Sequence, residues 1–267
     1  MLRVYRFLNL LSLDVAFGAA LTTLFFSKLL QAPVRYYGVV ALGLTVWIIY
    51  TIDRLMDVRQ LKQAAISERH KFHQNNYKVL SVAVGLAIVV VCILAVFIRP
   101  SVLIGGLVLA PLIAVYLLLQ KKLPIKELAV AVMYTVGVLL PAWPGRWNLL
   151  LQEAAMITQL FFIALTNLLL FAWFETAVDQ AMGQHSLATR LGKQVVARWI
   201  FVLVSCGLVF SLPYAVFVSP AGWIIFTMWL GLAFIYKFHN YFGRAERYRL
   251  WGDAIFYLPA IGLFMKH

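Results

Sequence analysis

The sequence predicts an all-α membrane protein with nine transmembrane helices in a single bundle, around a central cavity that opens to the cytoplasmic side. Hydrophobic residues make up 63% of the 267 residues and charged residues only 12%, which is more apolar surface than a soluble domain of this length can bury. The apolar runs are long and continuous, whereas a transmembrane barrel needs short alternating segments. The whole chain, 1–267, is therefore expected to form one transmembrane domain.

Nine apolar segments can be counted along the chain. They lie at residues 9–30, 34–52, 77–98, 101–119, 127–144, 155–174, 199–218, 221–236 and 252–265. The last two are short for a span of about 20 residues. Asp14 interrupts the first segment, and no clear small-residue cleavage site ends it. A retained first span is therefore predicted rather than a cleaved signal peptide.

Basic residues are concentrated in alternate loops. If the N-terminus is cytoplasmic and nine spans alternate, most of the 23 Lys and Arg residues lie on the cytoplasmic side, as the positive-inside rule requires. This predicts a protein of the cytoplasmic membrane with its C-terminus on the opposite side. Topology thus accounts for the net charge of +13, and no nucleic-acid partner is expected. The basic loop that contains Arg244, Arg247 and Arg249 is interpreted as a patch attracted to anionic membrane lipid.

Two pairs of acidic residues close the second and sixth segments. They are Asp53 with Asp57, and Glu175 with Asp179. The i, i+4 spacing puts both carboxylates of a pair on one helix face. A solvated helix end would explain either pair alone, but two pairs on one side of the membrane favour a cage of hard oxygen ligands for Mg²⁺. We predict that these four residues are both the metal ligands and the catalytic residues.

Basic residues that could hold phosphate groups lie on the same predicted side. These candidates are Arg69, Lys121, Lys122, Lys126 and Arg190. A metal ion that bridges a diphosphate neutralises the leaving group and helps a carbon–oxygen bond to ionise. The apolar bundle could accommodate a hydrocarbon tail, and its aromatic side chains could stabilise an allylic cation. Together these features predict an enzyme that uses a prenyl diphosphate within the membrane.

The two acidic motifs resemble those of the UbiA superfamily of intramembrane prenyltransferases, which have nine helices and Asp-rich motifs after helices 2 and 6. From Glu175 to Gly192 the chain resembles the pattern D-x-x-x-D-x-x-x-G-x-x-[ST]-L-x-x-x-x-G. Asp53 and Asp57 resemble the last two acids of N-D-x-x-D-x-x-x-D. Tyr116, followed by two lysines, resembles the Tyr and Lys-Arg pattern after helix 4.

The chain also departs from the family pattern. Ile49 and Tyr50 stand where Asn-Asp is usual, Glu175 replaces an Asp, and residues 69–73 replace Asn-Arg-Pro. The resemblance implies Mg²⁺-dependent transfer of a prenyl group from an isoprenoid diphosphate to a lipophilic, aromatic or quinone-like acceptor. The departures leave two alternatives open. One is cyclisation of the bound prenyl chain, and the other is a non-catalytic isoprenoid- or pigment-binding membrane subunit. A cation-coupled transporter is disfavoured because most acids lie at predicted helix ends or loops.

Polar residues inside predicted spans are candidates for the acceptor site. Asp14 is an ionisable group in the middle of a span, and such groups are costly and usually functional. Asn167 is predicted to face either the cavity or a neighbouring helix. Tyr116 is assigned to the substrate on the basis of the resemblance. His70 and His73 could ligate a metal or contact an acid or phosphate, but exposure to solvent is the favoured interpretation.

Overall fold

The computed structural model describes residues 2–59, 67–120, 123–143, 145 and 149–265, and within these ranges every regular element is helical. The α-helices are α1 (Leu2–Leu10), α2 (Leu13–Leu29), α3 (Tyr36–Arg59), α4 (Glu68–Asn75), α5 (Tyr77–Ala95), α6 (Pro100–Leu119), α7 (Lys126–Leu139), α8 (Leu151–Ala181), α9 (Leu187–Leu191), α10 (Lys193–Phe217), α11 (Ala221–Lys237), α12 (His239–Phe242), α13 (Arg247–Ala254) and α14 (Pro259–Phe264). Short 3-10 turns occupy Arg244–Glu246 and Ile255–Tyr257.

Five of the described helices are long and apolar enough to cross a membrane: α3, α5, α6, α8 and α10. The bent pair α1–α2 would make six, and α11 is a shorter apolar helix. The outer helices expose large apolar side chains, such as Leu86 on α5 and Leu107 on α6, which suits contact with lipid rather than water. An all-helical integral membrane protein is therefore confirmed. The total of nine spans and the cytoplasmic opening stay predictions.

The first apolar segment is not one straight helix as predicted. Helices α1 and α2 meet at 88°, and Ser12 between them has a left-handed φ of 57°. The bend frees backbone carbonyl groups, and the Nε1 of Trp47 on α3 donates a hydrogen bond of 2.9 Å to the carbonyl of Leu11. Asp14 consequently lies in the first turn of α2, next to the bend.

The last predicted segment, 252–265, is also interrupted. Helix α13 ends at Ala254, and α14 begins only at Pro259, which cannot donate a backbone hydrogen bond to a continuing helix. Neither helix reaches the length of a span. On the far side, the ammonium group of Lys28 donates to the carbonyls of Gly262 and Leu263 at 3.2 and 3.1 Å, which attaches the end of α14 to α2.

Helix α8 lies at the centre of the bundle and packs against α7, α9, α10, α11 and α13. Its buried side chains, including Leu160, Ile163 and Leu170, belong to the main apolar core. Helices α10 and α11 approach each other closely at Gly207, where a Cβ atom would lie 2.2 Å from the ring of Trp229. Helix α7 packs directly against α8, and the acidic ends of α3 and α8 line a common cavity.

Candidate functional site

A cavity of about 180 Å³ lies between the ends of α3 and α8 that carry the acidic pairs. Its charged lining residues are Asp53, Arg54, Asp57, Lys126, Glu127, Glu175, Asp179 and Arg249. The structure therefore brings all four predicted carboxylates to the wall of one cavity, although corresponding acids of the two pairs are 122 residues apart in sequence. It also adds two arginines to this wall that were not predicted as site residues.

The first acidic pair is only loosely compensated by protein cations. Arg54 lies between the two carboxylates, with its Nη1 3.6 Å from Asp57 Oδ2 and its Nε 4.0 Å from Asp53 Oδ2. His70 Nε2 is also 3.6 Å from Asp57 Oδ2. These distances are too long for hydrogen bonds. Asp53 Oδ1 is buried and accepts no hydrogen bond from any described residue. This pair therefore retains oxygen lone pairs for a ligand.

The second acidic pair differs, because Glu175 is already compensated within the protein. Its Oε1 makes an ion pair with Nη2 of Arg249 and accepts a hydrogen bond of 2.8 Å from the hydroxyl of Tyr248. Burial disfavours the charge of Arg249, but the surrounding groups, Glu175 first, outweigh it and raise the pKa of Arg249 above its usual range. The sequence interpretation of Arg249 as part of a lipid-attracted patch was therefore wrong: the side chain is 6% exposed and points inward. Asp179, one turn later on α8, has no such partner among the ion pairs of the described residues.

The segment that follows the second pair has a structural role. Gly183 adopts a φ of 65°, which turns the chain after α8 at a position where a residue with a Cβ would be strained. Ser186 then caps α9, its hydroxyl accepting from the backbone N–H of Thr189. The backbone N–H of Leu187 donates to Glu127 Oε1 at 2.9 Å, which joins α9 to the start of α7. These contacts explain the Gly-x-x-Ser-Leu spacing and hold the segment against the cavity.

The predicted phosphate-binding residues have different positions. Lys126 lines the cavity from the first turn of α7, and its role in binding diphosphate stays a prediction. Arg190 is exposed on α9 and is not among the residues that line the cavity. Lys121 and Lys122 lie outside the described residues. Arg54, which was not predicted as a site residue, also lines the cavity. Its position inside the first acidic motif is the sequence feature that could have identified it.

Arg69 is not among the residues that line the cavity and instead contacts the bend between α1 and α2. It is 3% exposed, and its Nη2 donates to Ser12 Oγ at 2.8 Å, at the bend between α1 and α2. Burial, followed by the nearby cations Arg54 and Arg249, lowers the pKa of Arg69 to about 10. The polar residues of α1 and α2 need partners away from water, and Arg69 supplies one of them.

His70 and His73 are buried rather than exposed to solvent, at 3% and 0%. His70 lies next to Asp57, so the interpretation as an acid contact is the one that the geometry favours. The ring Nδ1 of His73 lies 2.9 Å from the carbonyl of Arg69, and burial lowers the pKa of His73 to about 4. Both pKa values lie below the usual value for histidine, so both rings are neutral near pH 7.

A smaller, more apolar chamber of about 30 Å³ continues from the first cavity and shares with it the walls formed by Tyr50, Val130, Leu168 and Phe171. Besides Tyr50, its polar lining residues are Asn167, Tyr134 and Asp253. Asn167 Oδ1 and the Tyr134 hydroxyl are buried and without a hydrogen-bond partner among the described residues. Asn167 therefore faces this inner chamber. Tyr116 lines the outer cavity, where its hydroxyl lies 3.5 Å from Gln120 Oε1.

Asp14 reaches the inner chamber only through other residues. It is fully buried and is not among the residues that line either space. The amide Nδ2 of Asn9 donates to Asp14 and, at 3.1 Å, to Oδ2 of Asp253. Burial and the Asp14 carboxylate raise the pKa of Asp253 to about 7. Asp253 had no role in the sequence interpretation, because nothing local in the sequence marks it.

The donor set fits a divalent cation at the first acidic pair better than a preassembled four-carboxylate cage. In the part of the chain that the structure describes, no three His, Cys, Asp or Glu side chains are grouped closely enough to hold a metal ion unaided. Magnesium, however, needs only one or two carboxylates when water and phosphate oxygens supply the remaining ligands. Asp53 Oδ1, which accepts no hydrogen bond from the described residues, matches that requirement together with Asp57 one turn away. The metal role of the four acids stays a prediction.

The chain is similar to known proteins in its structure but not in its sequence. No protein-family profile and no curated protein sequence matches the chain. The apo structure of a UbiA homologue from Aeropyrum pernix K1 is similar in fold, with a TM-score of 0.63, 12% sequence identity and coverage of 96% of both chains. A structure of digeranylgeranylglyceryl phosphate synthase has a TM-score of 0.55, 15% identity and coverage of 98% of both chains. The chain therefore shares its fold with these two proteins, one of them a homologue of UbiA, the family that its motifs resemble.

Proposed function

We propose that this protein binds an isoprenoid diphosphate together with Mg²⁺ and transfers the prenyl group to a lipophilic acceptor within the membrane. One observation carries the proposal: both acidic pairs and three cations line a single cavity, and that cavity continues into an apolar chamber whose buried polar atoms include two without a hydrogen-bond partner among the described residues. A fold alone does not specify a reaction, so the proposal depends on this arrangement.

The charged cavity suits the diphosphate end of such a donor. Asp53 and Asp57 would hold Mg²⁺, with Asp179 facing them across the cavity. When bound, the ion would neutralise the leaving diphosphate. Lys126 and Arg54 contribute fixed positive charge from α7 and α3, and both line the same space. In a site with restricted water, such charges stabilise a departing anion more strongly than they would in solution.

The shared wall between the two chambers suits the reacting carbon. Tyr50 lies one turn before Asp53, and Phe171 lies one turn before Glu175, so both rings are about 5 Å deeper along their helices than the acids. An allylic cation formed when the carbon–oxygen bond breaks would be flanked by aromatic faces, which stabilise cations. The apolar side chains of Val130 and Leu168 exclude water from that position.

The inner chamber suits the polar group of the acceptor. Asn167 Oδ1 can accept a hydrogen bond from an acceptor hydroxyl or amine, and Tyr134 adds a second polar atom. Bond formation to the prenyl carbon releases a proton from the acceptor. We assign the receipt of that proton to Asp253, which lines the chamber and whose pKa of about 7 suits a base near neutral pH.

The test is release of diphosphate by the purified protein in detergent. Prenyl diphosphates from geranyl to geranylgeranyl and longer would be supplied with Mg²⁺ and with membrane extract as the source of acceptor. Release that requires Mg²⁺, and that is lost in Asp57→Asn and Asp179→Asn, would support the proposal. The matched control is Glu68→Gln, because this acid is exposed and pairs with Arg6 away from the cavity.

The products separate the remaining alternatives. A labelled prenyl group recovered on a second molecule identifies a transferase, whereas a cyclic hydrocarbon without an acceptor identifies a cyclase. Mg²⁺-dependent donor binding without release would favour a non-catalytic isoprenoid- or pigment-binding subunit. Release that is unchanged in both Asp→Asn variants would refute the assigned site.

A further inference from the structure

The charge of Glu175 is already compensated by the protein, which suggests that the two acidic pairs have different roles. Glu175 Oε1 receives both the guanidinium of Arg249 and, at 2.8 Å, the hydroxyl of Tyr248. Both partners come from α13 and are 6% exposed. A carboxylate with two buried donors on one oxygen has little need of a metal ion.

Arg249 is also a wall residue of the cavity that contains the first acidic pair. Its ion pair with Glu175 uses one terminal nitrogen, Nη2, of a group that carries five N–H donors. The ring of Phe171 lies 5.6 Å from its Cζ atom and supports the guanidinium from one side. A buried cation is stable only when an anion compensates its charge. The Glu175 carboxylate therefore allows Arg249 to stay charged in this position.

The first acidic pair has the opposite character. Its nearest cations lie 3.6 and 4.0 Å away, and Asp53 Oδ1 has no hydrogen-bond partner among the described residues. One side of the cavity thus has a buried carboxylate oxygen, Asp53 Oδ1, with no hydrogen-bond partner among the described residues, and the other side has a guanidinium that is held in place. A diphosphate between them would meet a metal ion on the α3 side and a protein cation on the α8 side.

We propose that Arg249 is a fixed cation of the diphosphate-binding site, in place of a metal ion at the second acidic pair, and that Glu175 positions Arg249 instead of ligating metal. This inference rests on the proposed function and specifies its binding site. The planar guanidinium matches phosphate oxygens in a bidentate manner, which an ammonium group does not. A single divalent cation per chain is therefore expected with diphosphate bound.

Binding measurements test this without turnover. Mn²⁺ replaces Mg²⁺ as a paramagnetic probe, inorganic diphosphate is the ligand, and bound Mn²⁺ is counted by electron paramagnetic resonance on the full chain in detergent. We expect a single Mn²⁺ per chain in the wild type and in Glu175→Gln and Arg249→Gln. Both variants should bind inorganic diphosphate at least about tenfold more weakly, since each loses or displaces a charge-assisted contact.

Matched variants keep the result interpretable. Arg249→Lys should recover only part of the affinity, and Arg247→Gln, two residues away with its guanidinium over Tyr241, should leave it unchanged. Asp57→Asn should lose the Mn²⁺. If Arg249→Gln fails to fold, the paired variant Glu175→Gln/Arg249→Gln leaves no buried charge unpaired and should reproduce the weakened diphosphate binding with the same Mn²⁺ count.

Three results would overturn the inference in distinguishable ways. Two Mn²⁺ ions per wild-type chain, with one lost in Glu175→Gln, would make Glu175 a metal ligand and leave the proposed function standing. Binding of neither Mn²⁺ nor diphosphate by the folded wild type would overturn the proposed function together with this inference. Diphosphate affinity unchanged in Arg249→Gln would remove Arg249 from the site.

Discussion

Replacing Gly252 with alanine should close the inner chamber. Helix α13 approaches α8 so closely at this residue that a Cβ atom would lie 2.5 Å from Asn167 Oδ1 and 2.6 Å from Cε1 of Phe171. Real Cβ contacts are essentially never shorter than 3.0 Å. Both side chains must therefore move, and both line the inner chamber.

The size of the effect follows from the space available. The inner chamber has a volume of about 30 Å³, roughly the share of one water molecule in the liquid. A methyl group together with a displaced amide or ring is enough to fill it. Forcing an extra carbon into a packed interior costs about 1–3 kcal/mol in stability. We expect Gly252→Ala to lower acceptor-dependent diphosphate release by about tenfold or more, which corresponds to about 1.4 kcal/mol in the activation free energy.

The assay combines thermal unfolding in detergent with diphosphate release in the presence of acceptor. The matched control is Gly85→Ala on α5, where a Cβ atom meets nothing within 4 Å. That change should be neutral or stabilising by up to about 1 kcal/mol, because alanine is the better helix former. If Gly252→Ala keeps wild-type stability and wild-type release, the close contact and the role assigned to the inner chamber are refuted together.

Three further predictions concern residues around the inner chamber and the helix bend. Asn167→Leu should reduce prenyl transfer and raise the KM for the acceptor while donor binding is unchanged, since Asn167 Oδ1 has no hydrogen-bond partner among the described residues. An unchanged KM would remove Asn167 from the acceptor site. Arg69→Leu should lower the free energy of unfolding by about 3–5 kcal/mol in denaturant titrations, because the change leaves the buried polar groups of Ser12 and Asp14 without their cation. A smaller loss of stability than in Asn167→Leu would contradict this. In the folded protein Asp253 keeps its proton up to about pH 7, whereas in the unfolded chain it loses the proton near pH 3.8, so the free energy of unfolding should fall as pH rises between these values. Asp253→Asn should flatten that dependence in thermal unfolding at pH 5 and pH 8. An unchanged slope would refute the assignment.

The sequence alone determined the class of protein and the position of its acids. Long apolar runs specify membrane helices because the bilayer imposes their length, and this holds whatever the helices pack against. The i, i+4 spacing of Asp53 with Asp57 and of Glu175 with Asp179 is likewise a local property of a helix. Both patterns were sufficient to predict the shared fold, and the structure brings all four acids to one cavity.

The partners of those acids were decided only by the tertiary structure. Arg249 and Tyr248 reach Glu175 from α13, across most of the second half of the chain, and no local pattern encodes that contact. Arg69 and Arg190 follow the two acidic motifs and carry the same charge, yet Arg69 is buried at the helix bend and Arg190 is exposed. The sequence shows which charged groups a segment carries and how they are spaced. The packing of helices that are distant in sequence decides which of those groups come into contact, and the chemistry of this site depends on these contacts.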